Sequence, residues 1–192
     1  MPEVVFTESD HTYRVGGARY PSVTQVIADM GLYGPASDYF TEWTRERGSF
    51  VHRIIQWHLS GELDEATIDP ALRPYFDAWR RFEQEAGYVS DACEKVMASD
   101  FYKFAGTVDH IGHLNGYYCI IDVKTGVLTP ATAIQMGGYE ILMKSPGIRR
   151  FGLRLMDTGK YSLKEYKDRQ DSKIFLAALS VYYWKQDNRL AA

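Results

Sequence analysis

Asp109, Asp122 and Lys124 are the side chains whose types and spacing can do chemistry together. Asp109 stands in Gly106-Thr-Val-Asp-His-Ile-Gly112, and the other two close the run Tyr117-Tyr-Cys-Ile-Ile-Asp-Val-Lys124. Carboxylates from two neighbouring strands can converge on one hard divalent cation, because such cations prefer oxygen donors. Asp122 and Lys124 are two apart, so in a strand they point to one face. A charged pair after Cys119, Ile120 and Ile121 needs a reason, since buried charge is costly unless paired or bound to metal. Two readings are open: a surface salt bridge between Asp122 and Lys124, or a cation site completed by Asp109.

Positioning these residues takes a hairpin. Phe104 to His113 reads as one strand, Asn115-Gly116 as a tight turn, and Tyr117 to Lys124 as the return strand. Tyr88 to Ala98 is a further strand. A helix opens at Thr129-Pro130 and runs to about Lys144. Arg149 to Met156 and Lys160 to Tyr166 form a second hairpin, and a helix from Asp168 to about Asn188 ends the chain. Before these comes a part expected to be mainly helical. It opens with a hairpin around Tyr13, Val15, Gly16-Gly17 and Arg19-Tyr20. A short helix from Val23 to about Met30 follows, capped by Ser22. Next come helical stretches over Ser37 to Arg47 and Ser49 to Leu59, broken near Gly48. A helix starting at Asp69-Pro70 carries Leu72, Tyr75, Phe76, Trp79 and Phe82 on one face and stops at Gly87. These helices are expected to pack as one layer. The fold class is α/β in the mixed α+β sense: a central mixed sheet flanked by helices, with a helical N-terminal part. One domain over 1–192 is expected, with a hairpin and helices to about 87 and the sheet with its helices from about 88.

Composition narrows the function classes. The chain has 192 residues, 45% hydrophobic and 24% charged, a globular balance. Two cysteines, Cys93 and Cys119, cannot supply the four ligands of an iron–sulfur cluster and do not form a zinc-binding pattern. The start Met1-Pro2-Glu3 lacks a secretion signal, no apolar run is long enough for a membrane span, and a cytoplasmic protein is expected. The net charge of −3 runs mildly against a nucleic-acid partner, although a carboxylate-rich metal site itself lowers the total. Basic residues cluster at Arg45, Arg47 and Arg53, at Arg149, Arg150 and Arg154, and from Lys160 to Lys173. Each cluster is read as solvated surface, and the stretch from Lys160 to Lys173 alternatively as a track for a phosphate backbone.

Asp109 followed by Asp122-Val-Lys124 resembles the D…(D/E)xK signature of the PD-(D/E)XK nuclease superfamily. The contexts GTVDHIG and IDVKTG are similar to its RecB-like exonuclease branch. So are Gln135-Met-Gly-Gly-Tyr139, which matches that branch's QxxxY motif, and Arg47-Gly-Ser-Phe-Val-His52, which matches its RG(T/S)xxH motif. Tyr20-Pro-Ser-Val-Thr-Gln-Val-Ile27 is similar to the opening of phage-type exonucleases of this group. The ordered matches run from about residue 12 to 140. Val108 stands where the superfamily name has proline.

The resemblance implies a restriction-endonuclease-like fold and assigns roles. Asp109 and Asp122 would bind Mg²⁺ or Mn²⁺, with the backbone carbonyl of Val123 and with His52. Glu94 would either join them or be a solvated strand residue. Lys124 would orient or deprotonate water, or balance transition-state charge. Gln135 and Tyr139 would lie beside the site, touching DNA or steadying Lys124, with ordinary packing as the other reading for Tyr139. His58, His110 and His113 match no motif and are read as structural.

The implied activity is metal-dependent hydrolysis of DNA, from an end, in recombination, replication or repair of phage or prophage DNA. The implied partners are DNA and either further copies of the chain, as a homo-oligomer, or a recombination protein. A structure-specific or restriction-like endonuclease and a catalytically silent DNA-binding module are the alternatives.

Overall fold

The structure, a computed structural model, describes residues 3–35 and 41–188. Its centre is a five-stranded sheet in the order β4-β5-β6-β7-β8: β4 (Tyr88–Ser99), β5 (Phe104–Leu114), β6 (Tyr117–Lys124), β7 (Arg149–Leu155) and β8 (Tyr161–Glu165). All neighbours are antiparallel except β6 and β7, which run parallel with Cys119 opposite Arg149 and Lys124 opposite Arg154. A parallel pair needs a crossover, and helix α4 (Pro130–Met143) supplies it. Helix α5 (Gln170–Asp187) follows β8 and packs along α4. The order of elements from Tyr88 onward is the one expected from the sequence.

The N-terminal part differs from the helical expectation. It opens as a three-stranded antiparallel sheet, β1 (Val4–Thr7), β2 (Thr12–Val15) and β3 (Ala18–Tyr20). The expected hairpin is β2–β3. The added strand β1 is four residues long with only Val4 and Phe6 facing inward, too short for its alternation to stand out. Tyr13, Val15 and Tyr20 close against Ala105, Val96 and Ala98, so the small sheet leans on β4 and β5.

Helix α1 (Val23–Asp29) is capped by Ser22, whose Oγ accepts from the Gln25 amide at 2.9 Å. Helix α2 (Glu42–Ser60) passes through Gly48 without a break. A helical glycine costs about 1 kcal/mol, and burial of Val51, Ile54 and Ile55 on one face outweighs it. The start expected at Ser37 lies outside the described residues. Helix α3 runs Arg73–Ala86, four residues after its expected Asp69 start. Asp69 instead caps a turn, accepting from the Ala71 amide.

The N-terminal helices do not share a layer. α2 and α3 cover one face of the large sheet, where Val51, Ile55, Phe76, Trp79 and Phe82 meet Cys119, Ile121, Val123 and Leu153. α1 joins α4 and α5 on the other face, where Val23, Ile27, Met136 and Phe175 meet Val108 and Ile120. A sheet buried on both faces needs cover on both, and the helices are divided accordingly. Close approach of α4 to α5 depends on Gly137. A β-carbon there would stand 2.6 Å from the backbone of Asp171 and Ser172. A buried ion network joins the same elements: Arg150 on β7 lies 3.5 Å from Glu140 on α4 and 3.2 Å from Asp171 on α5.

Candidate metal centre

The β5–β6 hairpin brings Asp109 beside the end of β6. The strands pair from Leu114–Tyr117 to His110–Ile121. One step further the Asp109 side chain takes over, accepting the Val123 amide on Oδ2 at 2.8 Å. Alternation along β6 sends Cys119, Ile121 and Val123 to the α2–α3 face and leaves Asp122 and Lys124 on the other. Asp122 is fully buried, and Lys124 is one-third exposed. The Lys124 ammonium donates to Asp122 Oδ1 at 2.8 Å. It also lies 2.7 Å from Oδ2, but that buried oxygen has no hydrogen-bond partner.

Helix α2 delivers His52. Its neighbours Val51, Ile54 and Ile55 anchor the helix in the core, and the imidazole reaches the end of β6 at the Val123 carbonyl. Arg47, one helical turn earlier, donates from Nε to Thr125 Oγ1 and from Nη2 to the Thr125 carbonyl, both at 3.3 Å. It therefore pins α2 to the segment after Lys124. The contact of Arg47 with Thr125 is long-range, and no local pattern signals it.

His52 Nδ1 is 2.9 Å from Glu94 Oε1, and Nε2 is 3.1 Å from the Val123 carbonyl and 3.8 Å from Asp109 Oδ2. Glu94 reaches this position because its backbone turns into the left-handed region, φ +50°, within β4. A side chain in that region is strained by about 1–2 kcal/mol, and such strain collects at functional sites. One ligand atom from each of His52, Glu94 and Asp109 lies within 4.8 Å of the others. Asp122 stands outside this group, turned to Lys124.

Electrostatics mark the same spot. Burial opposes charge on His52, but Asp109 and Glu94 more than offset it and hold its pKa up at about 9. Burial raises Asp109, against the pull of His52 and Lys124. It pushes Asp122 up to about 6, with Lys124 opposing and Asp109 adding to the rise. Lys124 would be lowered by burial, yet Asp122 and Asp109 hold it above its ordinary value. Gln135 and Tyr139 are buried on α4, with Gln135 Nε2 donating to the Tyr139 hydroxyl at 3.0 Å. Burial, then Asp109 and Asp122, raise the Tyr139 phenol well above its usual range. Tyr33, after α1, is also within electrostatic reach of Lys124 and Asp122, and the sequence reading did not single it out.

The other histidines stand apart. His58 is 3.0 Å from Glu83, His113 is 3.1 Å from Asp91, and His110 lies over Trp79 with ring centroids 4.6 Å apart.

The residues fit a divalent cation. Two carboxylates, a peptide carbonyl and one imidazole converge, and the neighbouring Asp122 Oδ2 is a buried acceptor with no hydrogen bond. Such oxygen-rich donors suit Mg²⁺ or Mn²⁺, and the imidazole is more at home on Mn²⁺.

No family model matches the sequence, and no curated protein matches it either. Solved structures do. A protein from Eubacterium rectale assigned as an exonuclease superposes with a TM-score of 0.56 at 12% identity, over 84% of this chain and 77% of that one. The alkaline exonuclease LHK-Exo from Laribacter hongkongensis aligns over 90% of this chain and 95% of its own, at 16% identity and a TM-score of 0.42. The chain shares the fold of the Eubacterium rectale protein.

Proposed function

We propose that this chain is a divalent-metal-dependent nuclease that hydrolyses DNA phosphodiester bonds, working from an end. The observation that carries the reading is the convergence of His52, Glu94, Asp109 and the Val123 carbonyl beside the Asp122–Lys124 pair. That they sit on a nuclease-type fold adds to it. A bound Mg²⁺ or Mn²⁺ would supply an activated water and charge stabilisation at the scissile phosphate.

The chain's own residues do the rest. Asp109 and Glu94 would hold the ion with His52, and Glu94 fixes the direction of the imidazole through Nδ1. Asp122 would add its Oδ2, a buried acceptor with no hydrogen bond. Lys124, whose ammonium donates to Asp122, would balance charge on the developing phosphate or orient the attacking water. Gln135 and Tyr139, hydrogen-bonded to each other on α4, would support the site or touch DNA beside it. Roles in recombination, replication or repair of phage DNA, and assembly with other copies or a recombination protein, rest on the sequence resemblance.

The test compares wild type with Lys124→Ala on end-labelled linear DNA and on a covalently closed circle, in Mg²⁺, Mn²⁺ and EDTA. Metal-dependent loss of label by wild type alone, with the circle intact, is expected. Cutting of the circle would make the protein an endonuclease. No cutting of single- or double-stranded DNA with either metal would overturn the enzyme reading in favour of a silent DNA-binding module.

A further inference from the structure

Beside the proposed catalytic lysine stands a cation with no ion pair among the described residues. Parallel pairing of β6 with β7 places Arg154 directly opposite Lys124. Paired residues of neighbouring strands point to one face and stand about 5 Å apart. Phe151, Leu153 and Leu155 pack against α2 and α3, so Arg154 faces the other way, with Asp122 and Lys124.

Arg154 is half-buried, its Nε is buried, and that nitrogen has no hydrogen-bond partner among the described residues. The other arginines of β7 are engaged: Arg149 with Glu165 at 2.7 Å, and Arg150 with Glu140 and Asp171. Lys124 already has Asp122. Arg154 has no ion pair among the described residues, so its charge is available to an incoming anion. A guanidinium left unpaired and partly desolvated is a costly arrangement unless something binds it. Its planar fork matches a phosphate.

The surroundings give a direction. Gly152 precedes Arg154 on the same face and is roofed by Leu128 and Tyr166, each 3.0 Å from where a β-carbon would be. Lys164 on β8 pairs with Gly152 and is exposed, its ammonium 5.1 Å from the centre of the Tyr166 ring. Positive side chains thus continue from Lys124 across β7 to β8.

We propose that Arg154 binds the phosphate next to the one being hydrolysed, and that the substrate strand leaves the site across β7 towards Lys164. This rests on the nuclease reading and adds a subsite to it. The experiment measures cleavage of a labelled oligonucleotide with Mn²⁺ over a KCl series, for wild type, Arg154→Ala, Arg154→Lys and the remote control Arg81→Ala. Thermal melts verify that each variant is folded.

Arg154→Ala is expected to raise KM about tenfold with kcat little changed, the loss of one charge-assisted contact. The salt slope of log kcat/KM should fall by about 0.7–0.9, the value of one phosphate contact. Arg154→Lys should restore the slope and part of KM, and Arg81→Ala should match wild type. A purely structural Arg154 would lower melting temperature and active fraction and leave KM and slope alone. Wild-type KM and slope in Arg154→Ala would overturn the subsite and leave the nuclease reading standing. Wild type that cuts no DNA with Mg²⁺ or Mn²⁺ would overturn the nuclease reading, and the subsite with it.

Discussion

Replacing Asp122 by asparagine is expected to make the metal-free protein more stable above about pH 6. Asp122 is fully buried, and its pKa rises from 3.8 to about 6 on folding. The folded state therefore binds this proton more tightly than the unfolded chain does. Stability tied to the group falls as pH climbs from about 4 to about 6, then levels off. A rise of about two pKa units corresponds to about 3 kcal/mol. Asparagine has nearly the same shape and copies the neutral form at every pH. Below about pH 4, Asp122→Asn should thus match wild type, and above about pH 6 it should gain up to about 3 kcal/mol. Losing the Lys124 contact trims the gain only modestly, because Lys124 is one-third exposed and its ammonium can turn to water. For a chain of this size the gain is a rise in Tm of about 6–12 °C. Melts and urea titrations in EDTA at pH 4 and pH 8 read it directly. Adding Mn²⁺ should then stabilise wild type more than the variant, by mass action on a site that has lost a carboxylate. A variant no more stable at pH 8, or equally favoured at both pH values, would refute the reasoning.

Three further outcomes follow from particular contacts. Glu94→Gly should be more stable than Glu94→Ala by about 1 kcal/mol without metal, because φ is +50° there, while both lose about tenfold or more in Mn²⁺ affinity by calorimetry; equal stabilities of the two would show that no strain is held. Gly137→Ala should lose about 2 kcal/mol or more in urea titrations, since its β-carbon would meet the α5 backbone at 2.6 Å; an unchanged midpoint would mean that α5 shifts freely. His110 is buried and neutral, its pKa lowered by burial to about 3, so its contribution is complete above about pH 6.5 and is lost as pH falls towards 3, at up to about 1.4 kcal/mol per pH unit. His110→Phe keeps a ring over Trp79 and should flatten the acid limb by about one proton between pH 6 and 4, which urea titrations across that range measure.

Much of the sheet was legible because its signals are local. Asn115-Gly116 names a hairpin turn, the β-rich run to Val123 needs a strand, and Thr129-Pro130 opens a helix. That His52 and Asp109 come together is legible through motifs in order, not through physics that a sequence displays. What stayed hidden is decided in three dimensions. No periodicity tells α1 to join α4 and α5 while α2 and α3 cross to the other face; shape and the need to cover both faces decide it. Glu94 could be read as a solvated strand residue because its left-handed backbone shows in no residue type. Arg47 and Arg154 act through a loop contact and a parallel register that their neighbours do not encode.

The distribution of unfavourable terms is itself an argument for the site. Elsewhere the buried charges are paired, Arg150 lying between Glu140 and Asp171, although Arg150 Nη1 and Asp171 Oδ2 make no hydrogen bond. Around the end of β6 the unfavourable terms fall on the proposed ligands themselves. Glu94 is strained, Asp109 and Asp122 have raised pKa values, Asp122 Oδ2 has no hydrogen bond, and Arg154 Nε has none either. A bound cation would offset the first three, and a bound anion the last. A core selected for stability alone would replace these residues with apolar ones of similar size. Their concentration within one short stretch of sheet, negative at Asp109 and Asp122 and positive at Lys124 and Arg154, matches a ligand pair of opposite signs: a metal ion and the phosphate backbone it acts on.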